Sequence, residues 1–430
     1  MITENAPGTG LAARIPGSKS LTNRLLLLAA AADGTSRVHA PLVSEDTVAF
    51  REALSVCGHP VRSSPENEFW EVTGAGRGPK GPARPWCADA GTAARFLPPF
   101  AATGHGTFLF DGSSQLRARP QRPLLEALRA LGADLEPGPG NGLPLLIRAG
   151  GLEGGELTVD SSLSSQYLSG LLMAAPLMRR GLCVRTGGNL VSRPYVDMTV
   201  ALMRRFGAQV DEDGDGTLRV APRPYGATDV VVEPDASSAS YVFAAAAVTG
   251  RTVTVPGLGT DSLQGDLRFV EVLRQAGADV HVGRAATTVT GTGPLRGGFT
   301  VDMGEISDTF MTLAAIAPLA DAPITIRGVA HARLKESDRV AAVAANLRAC
   351  GIETAEGEDW ITVRPGVPRP TRVECRRDHR IAMAFSVLGL AVPDTITLDD
   401  PACVAKTFPE FHDEMRRLFT GYALPVGTNS

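Results

Sequence analysis

No two of the six cysteines (Cys57, Cys87, Cys183, Cys350, Cys375, Cys403) form a C-x-x-C pair. That sets aside a zinc framework or a disulfide scaffold, and reduced core thiols in a cytoplasmic protein are expected. Neither sign of charge dominates, with 42 Lys and Arg against 46 Asp and Glu, a net charge of −4. No global basic field therefore recruits nucleic acid or a membrane surface, so any anion site must be a local cluster of cations. Long apolar runs are also missing. Stretches such as Leu168–Met178 and Met311–Ala320 are too short to span a bilayer, and no apolar segment follows a basic one at the N-terminus. A Walker A loop, G-x-x-x-x-G-K-[ST], is absent, which sets aside that nucleotide cradle.

What is present is ordinary in bulk and regular in detail. A chain of 430 residues exceeds what one core usually supports, so two domains are the default. Apolar residues at 43% and charged residues at 20% suit a soluble globular enzyme. One pattern recurs, a helix-like segment closing on an apolar residue and glycine: Leu54 to Gly58, Leu128 to Gly132, Met203 to Gly207, Leu273 to Gly277 and Leu347 to Gly351. The glycines are 74, 75, 70 and 74 residues apart, and a degraded copy, Met415 to Gly421, follows 70 later. Each glycine reads as the left-handed residue just past a helix. A period near seventy is too long for a solenoid and fits a small α/β unit of several strands and two helices. Six units suggest two domains of three. Asp211–Asp229, rich in Gly, Pro and Asp, reads as the least structured stretch, with a domain crossing just beyond it.

The chemistry-bearing residues gather at element starts. Ile15-Pro16-Gly17-Ser18-Lys19-Ser20-Leu21-Thr22-Asn23-Arg24 opens the apolar run Leu25–Ala32. Ser18 or Ser20 can cap that helix, and its free N–H groups with Lys19 and Arg24 suit a doubly charged small anion. A capped helix with a solvated Lys and Arg would look the same. Asp89-Ala90-Gly91-Thr92 lets backbone approach a ligand closely, with a helix expected from Thr92; a tight turn is the bland alternative. Leu116-Arg117-Ala118-Arg119-Pro120-Gln121-Arg122-Pro123 precedes a helix over Leu124–Leu131, and Arg119 is its best anion candidate. Ser161-Ser162-Leu163-Ser164-Ser165-Gln166 has more hydroxyls than one cap requires, and Ser192-Arg193-Pro194-Tyr195 resembles another polar helix entrance. Asp235 opens an alanine-rich helix and is assigned to structure.

The second half carries the acid and base groups. Asp308 precedes the apolar segment Met311–Pro318, where it could be a mere cap. Arg333-Leu334-Lys335-Glu336-Ser337-Asp338-Arg339 packs five charges into seven residues. Asp378-His379-Arg380 precedes Ile381–Leu390, and Lys406 precedes the last helix. Each has a bland reading alone, as a solvated or capping group. Together they supply cations, two acid/base carboxylates and a histidine from separate repeats.

Taken in order, Pro16-Gly-Ser-Lys-Ser, Asp89-Ala-Gly-Thr, Arg119-Pro, Ser164-Ser-Gln, Ser192-Arg-Pro-Tyr, Asp308, Lys335-Glu-Ser-Asp-Arg339, Asp378-His-Arg and Ala405-Lys-Thr-Phe-Pro resemble the 5-enolpyruvylshikimate-3-phosphate (EPSP) synthase family of enolpyruvyl transferases. The resemblance implies an α/β fold, a two-domain inverse α/β barrel of six βαβαββ-type repeats. A discontinuous domain, 1–16 with 233–430, would flank an inserted domain, 17–232, with the active site in the cleft between them. It also implies transfer of the enolpyruvyl group of phosphoenolpyruvate to shikimate 3-phosphate, without metal or cofactor, by a cytoplasmic monomer sensitive to glyphosate through Gly91. By the same resemblance, Lys19, Ser20, Arg24, Ser164, Ser165, Gln166, Ser192, Tyr195, Asp308, His331 and Lys335 face shikimate 3-phosphate. Lys19, Gly91, Arg119, Gln166, Arg339, Arg380 and Lys406 face phosphoenolpyruvate. The catalytic set is Asp308, Glu336, Lys19, His379 and Lys406, with Asp308 as base toward the hydroxyl and Glu336 exchanging the methylene proton.

Asp89, Phe96, Gln115 and His331 depart from the commonest family pattern. His331 stands where an asparagine commonly contacts the acceptor, so a paralogue acting on a related phosphorylated cyclitol, or a non-catalytic ligand-binding one, is the alternative. The related transferases that act on UDP-N-acetylglucosamine normally carry a loop cysteine, and Asp111–Pro123 contains none.

Overall fold

The computed structural model describes residues 11–160, 164–187 and 190–421, together with Ala423 and Pro425. They fall into two compact units. One is Gly17–Glu233; the other is built from the chain on both sides of it, up to Pro16 and from Pro234 onward.

Each unit repeats one plan three times. The first helix of a repeat is apolar or small all round and becomes buried on every side; the second is amphipathic and keeps a wet face. In Gly17–Glu233 the buried helices are Lys19–Ala31, Gly91–Ala102 and Ser165–Ala174, which pack on one another. Their amphipathic partners are Glu45–Val56, Arg122–Ala130 and Arg193–Arg205. In the flanking unit the buried helices are Ala236–Thr249, Phe310–Ile316 and His379–Ala391, also mutually packed. Phe269–Gln275, Arg339–Ala349 and Phe411–Leu418 are the second helices. Helices fill the centre of each unit, the inverse of a β-barrel.

Among the described residues three small sheets accompany the helices in each unit. In Gly17–Glu233 they are built on Ala32–His39 with Phe69–Ala75, His105–Phe110 with Gly142–Gly150, and Gly155–Asp160 with Leu182–Gly187. In the flanking unit they are built on Thr252–Pro256 with Ala286–Thr290, Phe299–Asp302 with Ile324–Arg327, and Thr371–Val373 with Ile396–Leu398.

The six repeat-closing glycines, Gly58, Gly132, Gly207, Gly277, Gly351 and Gly421, have φ of 92°, 92°, 87°, 100°, 78° and 91°. A Cβ at Gly58, Gly132 or Gly207 would meet nothing within 4 Å. The left-handed backbone, not crowding, demands glycine there. Asp211–Asp229 is more ordered than its composition suggests. Val210–Glu212 pairs antiparallel with Leu218–Val220, so Asp213-Gly214-Asp215-Gly216 is a hairpin turn rather than a loose linker.

The flanking unit is closed by its own earliest residues. Leu11–Ala12 pairs in parallel with Val253–Thr254. The Arg14 backbone N–H donates to Glu414 Oε1 at 2.7 Å, and Arg417 Nη2 donates to the Ala12 carbonyl at 2.6 Å. Among the described residues no helix is long and apolar enough to cross a membrane.

Phe385, wholly buried in the central helix His379–Ala391, tests how tightly a unit is packed. Phe385→Ala is expected to cost about 3–5 kcal/mol, read as a lower midpoint in urea unfolding. A loss under about 1 kcal/mol would mean that the three-helix centre repacks freely.

Candidate active site

The buried helices begin where the candidate anion-binding residues lie, because each N-terminus must satisfy its own N–H groups with polar side chains. Ser18 caps Lys19–Ala31, accepting from Leu21 N. Lys19, the first helical residue, donates from Nζ to Asp46 Oδ2 at 3.1 Å, and Ser20 follows half-buried. Arg24 is only 1% exposed. Its Nε donates to Thr199 Oγ1 at 2.7 Å, Nη1 to the Ser20 carbonyl, and Nη2 to Ser169 Oγ and the Tyr195 carbonyl. Its guanidinium lies over the Phe96 and Tyr195 rings, and burial brings its pKa down to about 10. Arg24 is thus a member of the core, not a cation projecting from the helix mouth.

The second cluster of this unit gathers at Gly91, which begins its helix one residue earlier than the sequence suggests. A Cβ there would lie 2.6 Å from both Arg119 Nη1 and Arg95 Nη1. Arg95 donates to the Gly91 carbonyl, to Gln166 Oε1 at 3.0 Å and to the Pro120 carbonyl. One guanidinium thereby fixes Gly91, Gln166 and the Arg119-Pro120 segment. Ser164 caps the Gln166 helix, and Ser165 is buried; Ser161–Leu163 lie outside the described residues. Ser192 is buried at the entrance to Arg193–Arg205, in the left-handed region with φ 54°, and Tyr195 is half-buried. Asp46 and Arg95, which hold Lys19 and Gln166, belong to the candidate site and were missed by sequence reasoning. Arg95 had one usable signal, its place four residues after Gly91 on the same helix face.

The flanking unit holds an ion-pair network. Arg339, 1% exposed, donates from Nη1 to Asp308 Oδ1 at 2.9 Å, from Nη2 to Glu336 Oε2 at 2.7 Å and from Nε to Asp378 Oδ2 at 2.8 Å. Arg380 Nη2 donates to Asp308 Oδ2 at 2.7 Å, and Lys335 Nζ stands 3.9 Å from Asp308 Oδ1. Burial works against the Asp308 carboxylate, but Arg380, Lys335 and Arg339 outweigh it and hold the carboxyl well below its usual range. Thr309, not Asp308, is the N-cap of the next helix, which leaves the Asp308 carboxylate to the arginines. Asp378 is the cap of His379–Ala391 and also accepts from Ser337 Oγ. His379 is wholly buried with Nδ1 3.8 Å from Asp378 Oδ1. Lys406 is buried at the end of the short 3-10 segment Pro401–Lys406, which packs on that same helix.

Two further groups shape this network. His331 is buried with Nε2 2.7 Å from Ser307 Oγ. Burial, then Lys335 and Arg339, lower its pKa to about 4 against the pull of Asp308, so the ring is neutral near pH 7. Asp266, absent from the sequence reading, accepts from Ser237 Oγ in the interior. Burial and the neighbouring Asp308 raise its pKa to about 6. Among the described residues no three of His, Cys, Asp or Glu are grouped as metal ligands.

His331 and Asp266 give acid stability opposite slopes. Unfolded, a histidine titrates near about 6.5; folded, His331 titrates at about 4. Between those values the unfolded chain binds the extra proton, so acidification costs stability. Asp266 titrates higher folded, at about 6, than an unfolded aspartate at about 3.9, so over that window it favours the folded state as pH falls. His331→Asn should therefore lose less stability than the parent between about pH 7 and 4, measured by urea unfolding at each pH. Equal slopes would show that the ring is not buried and neutral.

The family model of EPSP synthase (3-phosphoshikimate 1-carboxyvinyltransferase) matches residues 9–415. A protein of Nostoc punctiforme named 3-phosphoshikimate 1-carboxyvinyltransferase is 42% identical over 402 residues, covering 92% of this chain and 93% of that one. One of the same name from Sulfurovum is 40% identical over 411 residues, covering 94% and 95%. The solved EPSP synthase of Acinetobacter baumannii superposes with a TM-score of 0.80 at 26% identity, covering 96% of this chain and 97% of that one. The enolpyruvyl transferase NikO of Streptomyces tendae shares the fold at a TM-score of 0.76 and 21% identity, covering 96% and 94%. Matched along nearly its whole length in sequence and in fold, the chain belongs to the EPSP synthase family.

Proposed function

We propose that this protein transfers the enolpyruvyl group of phosphoenolpyruvate to the 5-hydroxyl of shikimate 3-phosphate, giving 5-enolpyruvylshikimate 3-phosphate and phosphate. The observation that carries the reading is one guanidinium, Arg339, holding both Asp308 and Glu336, with Arg380 and Lys335 on the same Asp308. The reaction needs two acid/base groups of different character and several cations, because a polyanionic donor meets a polyanionic acceptor. At about 4 Å and an effective dielectric near 20, each cation–anion contact contributes about 4 kcal/mol before desolvation.

The roles divide by charge. Glu336, which takes up a proton once the donor has displaced it from Arg339 Nη2, gives that proton to the methylene carbon of the donor while the acceptor hydroxyl bonds to C2 and Asp308 receives the hydroxyl proton. Glu336 then takes a proton back from the methyl group, the bond between C2 and the phosphate oxygen breaks, and phosphate leaves with the proton that Asp308 had received. Held by three cations, Asp308 is a poor base. Phosphoenolpyruvate competes for the same N–H groups of Arg339 and Arg380, and each contact it takes raises the proton affinity of Asp308. The base strengthens as the donor arrives. Lys19, Arg119, Gln166 and Lys406 complete the donor contacts. Ser20, Ser164, Ser165, Ser192, Tyr195, His331 and Lys335 serve the acceptor, and Arg24, enclosed beneath them, positions Ser20 through its carbonyl. His379, wholly enclosed, supports the Asp378–Arg380 turn. A cytoplasmic monomer goes with this reading.

Phosphate release from phosphoenolpyruvate with shikimate 3-phosphate tests the reaction directly. Glu336→Gln should lower kcat by about 10²–10⁴-fold while shikimate 3-phosphate still binds. No release by the parent protein would sink the reading, and full release by the variant would remove Glu336 from the proton transfers. Gly91→Ala places a methyl where the Arg119 and Arg95 nitrogens lie. Loss of a charge-assisted contact of about 1.5–3 kcal/mol should raise KM for phosphoenolpyruvate by about 10–100-fold, with KM for the acceptor little changed. A variant with unaltered donor KM would show that Arg119 does not hold the donor.

A further inference from the structure

The charge-rich run that supplies Lys335, Glu336 and Arg339 also holds Arg333 and Asp338, which the proposed reaction does not use. Arg333 is no solvated charge. Its side chain is only 23% exposed, and its guanidinium is surrounded by acceptors. Nε donates to the Glu358 carbonyl at 2.9 Å, and Nη2 to the Gly357 carbonyl at 2.6 Å and Glu356 Oε2 at 3.2 Å. Nη1 donates to Asp338 Oδ1 and Oδ2, both at 2.9 Å. These bonds engage the whole fork of donors that an arginine carries.

The acceptors belong to two fixed elements. Glu356 ends the strand Thr354–Glu356, which pairs antiparallel with Ile361–Val363, and that strand pairs in turn with Ile324–Arg327. The turn between them is closed by the Gly357 N–H donating to the Trp360 carbonyl at 3.0 Å, and the Val329 N–H donates to the Asp359 carbonyl at 3.0 Å. Asp338 Oδ1 also accepts from the Ala341 N–H at 3.0 Å, which caps the helix Arg339–Ala349. One guanidinium thus fastens the chain to a hairpin on one side and to a helix start on the other.

We propose that Arg333 is a positioning residue, a clamp that keeps the bend Lys335–Ser337 in the shape that brings Lys335 and Glu336 to one site. Between the two clamped ends, Glu336 Oε2 accepts from Arg339 Nη2, Lys335 Nζ stands beside Asp308, and Ser337 Oγ donates to Asp378 Oδ2 at 3.0 Å. Adjacent residues reach one cluster only while the backbone between them stays curved, and the Arg333–Asp338 bridge is the chord of that curve. Lysine cannot replace it, because one ammonium nitrogen has no planar fork to spread over these acceptors. The fold does not hang on the clamp. Arg348 separately ties the same helix to the same strand, from Nη1 to Glu356 Oε1 at 3.1 Å and from Nε to the Thr354 carbonyl at 3.0 Å.

The consequence for turnover rests on the proposed function; the clamp itself does not. Arg333→Lys and Arg333→Ala are compared with the parent by amide hydrogen exchange read by mass spectrometry, and by phosphate release with both substrates. Exchange should quicken about tenfold or more in the peptide covering residues 334–338, with the rest of the chain unchanged. A shift of about 1 Å in a reacting group costs about 10²-fold, so kcat should fall by about 10–100-fold in both variants. KM for shikimate 3-phosphate should rise through Lys335, and KM for phosphoenolpyruvate should hold. Guanidinium ion at millimolar concentration should restore part of the turnover of Arg333→Ala, and sodium ion at the same ionic strength should not. Unchanged exchange in both variants, or a loosened bend with full kcat, would overturn the proposal. So would a lower kcat with both KM values unaltered and no rescue, the pattern of a partly unfolded preparation. A parent protein that never releases phosphate would count against the functional reading alone, since the clamp is judged by exchange.

Discussion

The second half of the molecule depends on one buried guanidinium. Arg339 reaches three carboxylates from three places in the chain: Asp308 before a central helix, Glu336 in its own approach loop, and Asp378 at the cap of another central helix. Burial alone would disfavour the cation, yet Asp378, Glu336 and Asp308 more than offset it and raise its pKa. Removing one partner from such a network costs far more than an exposed pair contributes, because the remaining charges stay buried. The network thus fixes the mutual geometry of Asp308 and Glu336, the acid/base pair of the proposed reaction.

The fold explains why such residues collect where they do. A helix buried on all sides has nowhere to wet its first N–H groups except at its mouth, so polar side chains and anions concentrate there. Three central helices in one unit bring three mouths together. Arg95 shows the result in one unit, joining Gly91 to Gln166 across two helix starts, and Arg380 shows it in the other, reaching from the third central helix back to Asp308.

Much of this was legible in the sequence, for identifiable reasons. The closing glycines marked the helix ends because no other residue occupies that left-handed backbone cheaply, and their period exposed the six units. Lys19, Gln166, Asp308, Glu336, Arg339 and Arg380 were legible as polar residues at or near element starts, and Gly91 as a point of close backbone approach. What was not legible is who holds whom. Arg24 and Thr199 are 175 residues apart, Lys19 and Asp46 are 27 apart, and Arg380 and Asp308 are 72 apart. No local periodicity encodes those pairings. Arg24 read as a second cation at the helix mouth because helical spacing gives direction but not burial; the Phe96 and Tyr195 rings that cover it come from other repeats. Asp213-Gly214-Asp215-Gly216 read as a linker because a hairpin turn and a loose segment share the same composition.

The N-terminal segment of the flanking unit has a consequence for synthesis. Arg14 and Glu414 are bonded across 400 residues of chain, and Leu11–Ala12 must find a strand that lies beyond the whole of Gly17–Glu233. At about 5–20 residues per second, a ribosome takes on the order of 20–80 s to emit those 400 residues. The first strand has no partner until Val253–Thr254 emerge, by which time the inserted unit already has every residue its core requires, and Arg14 waits for Glu414 to the end of the interval. Assembly is therefore staggered: Gly17–Glu233 can mature first, and the bonds that join Ala12 and Arg14 to Glu414 and Arg417 are the last to form.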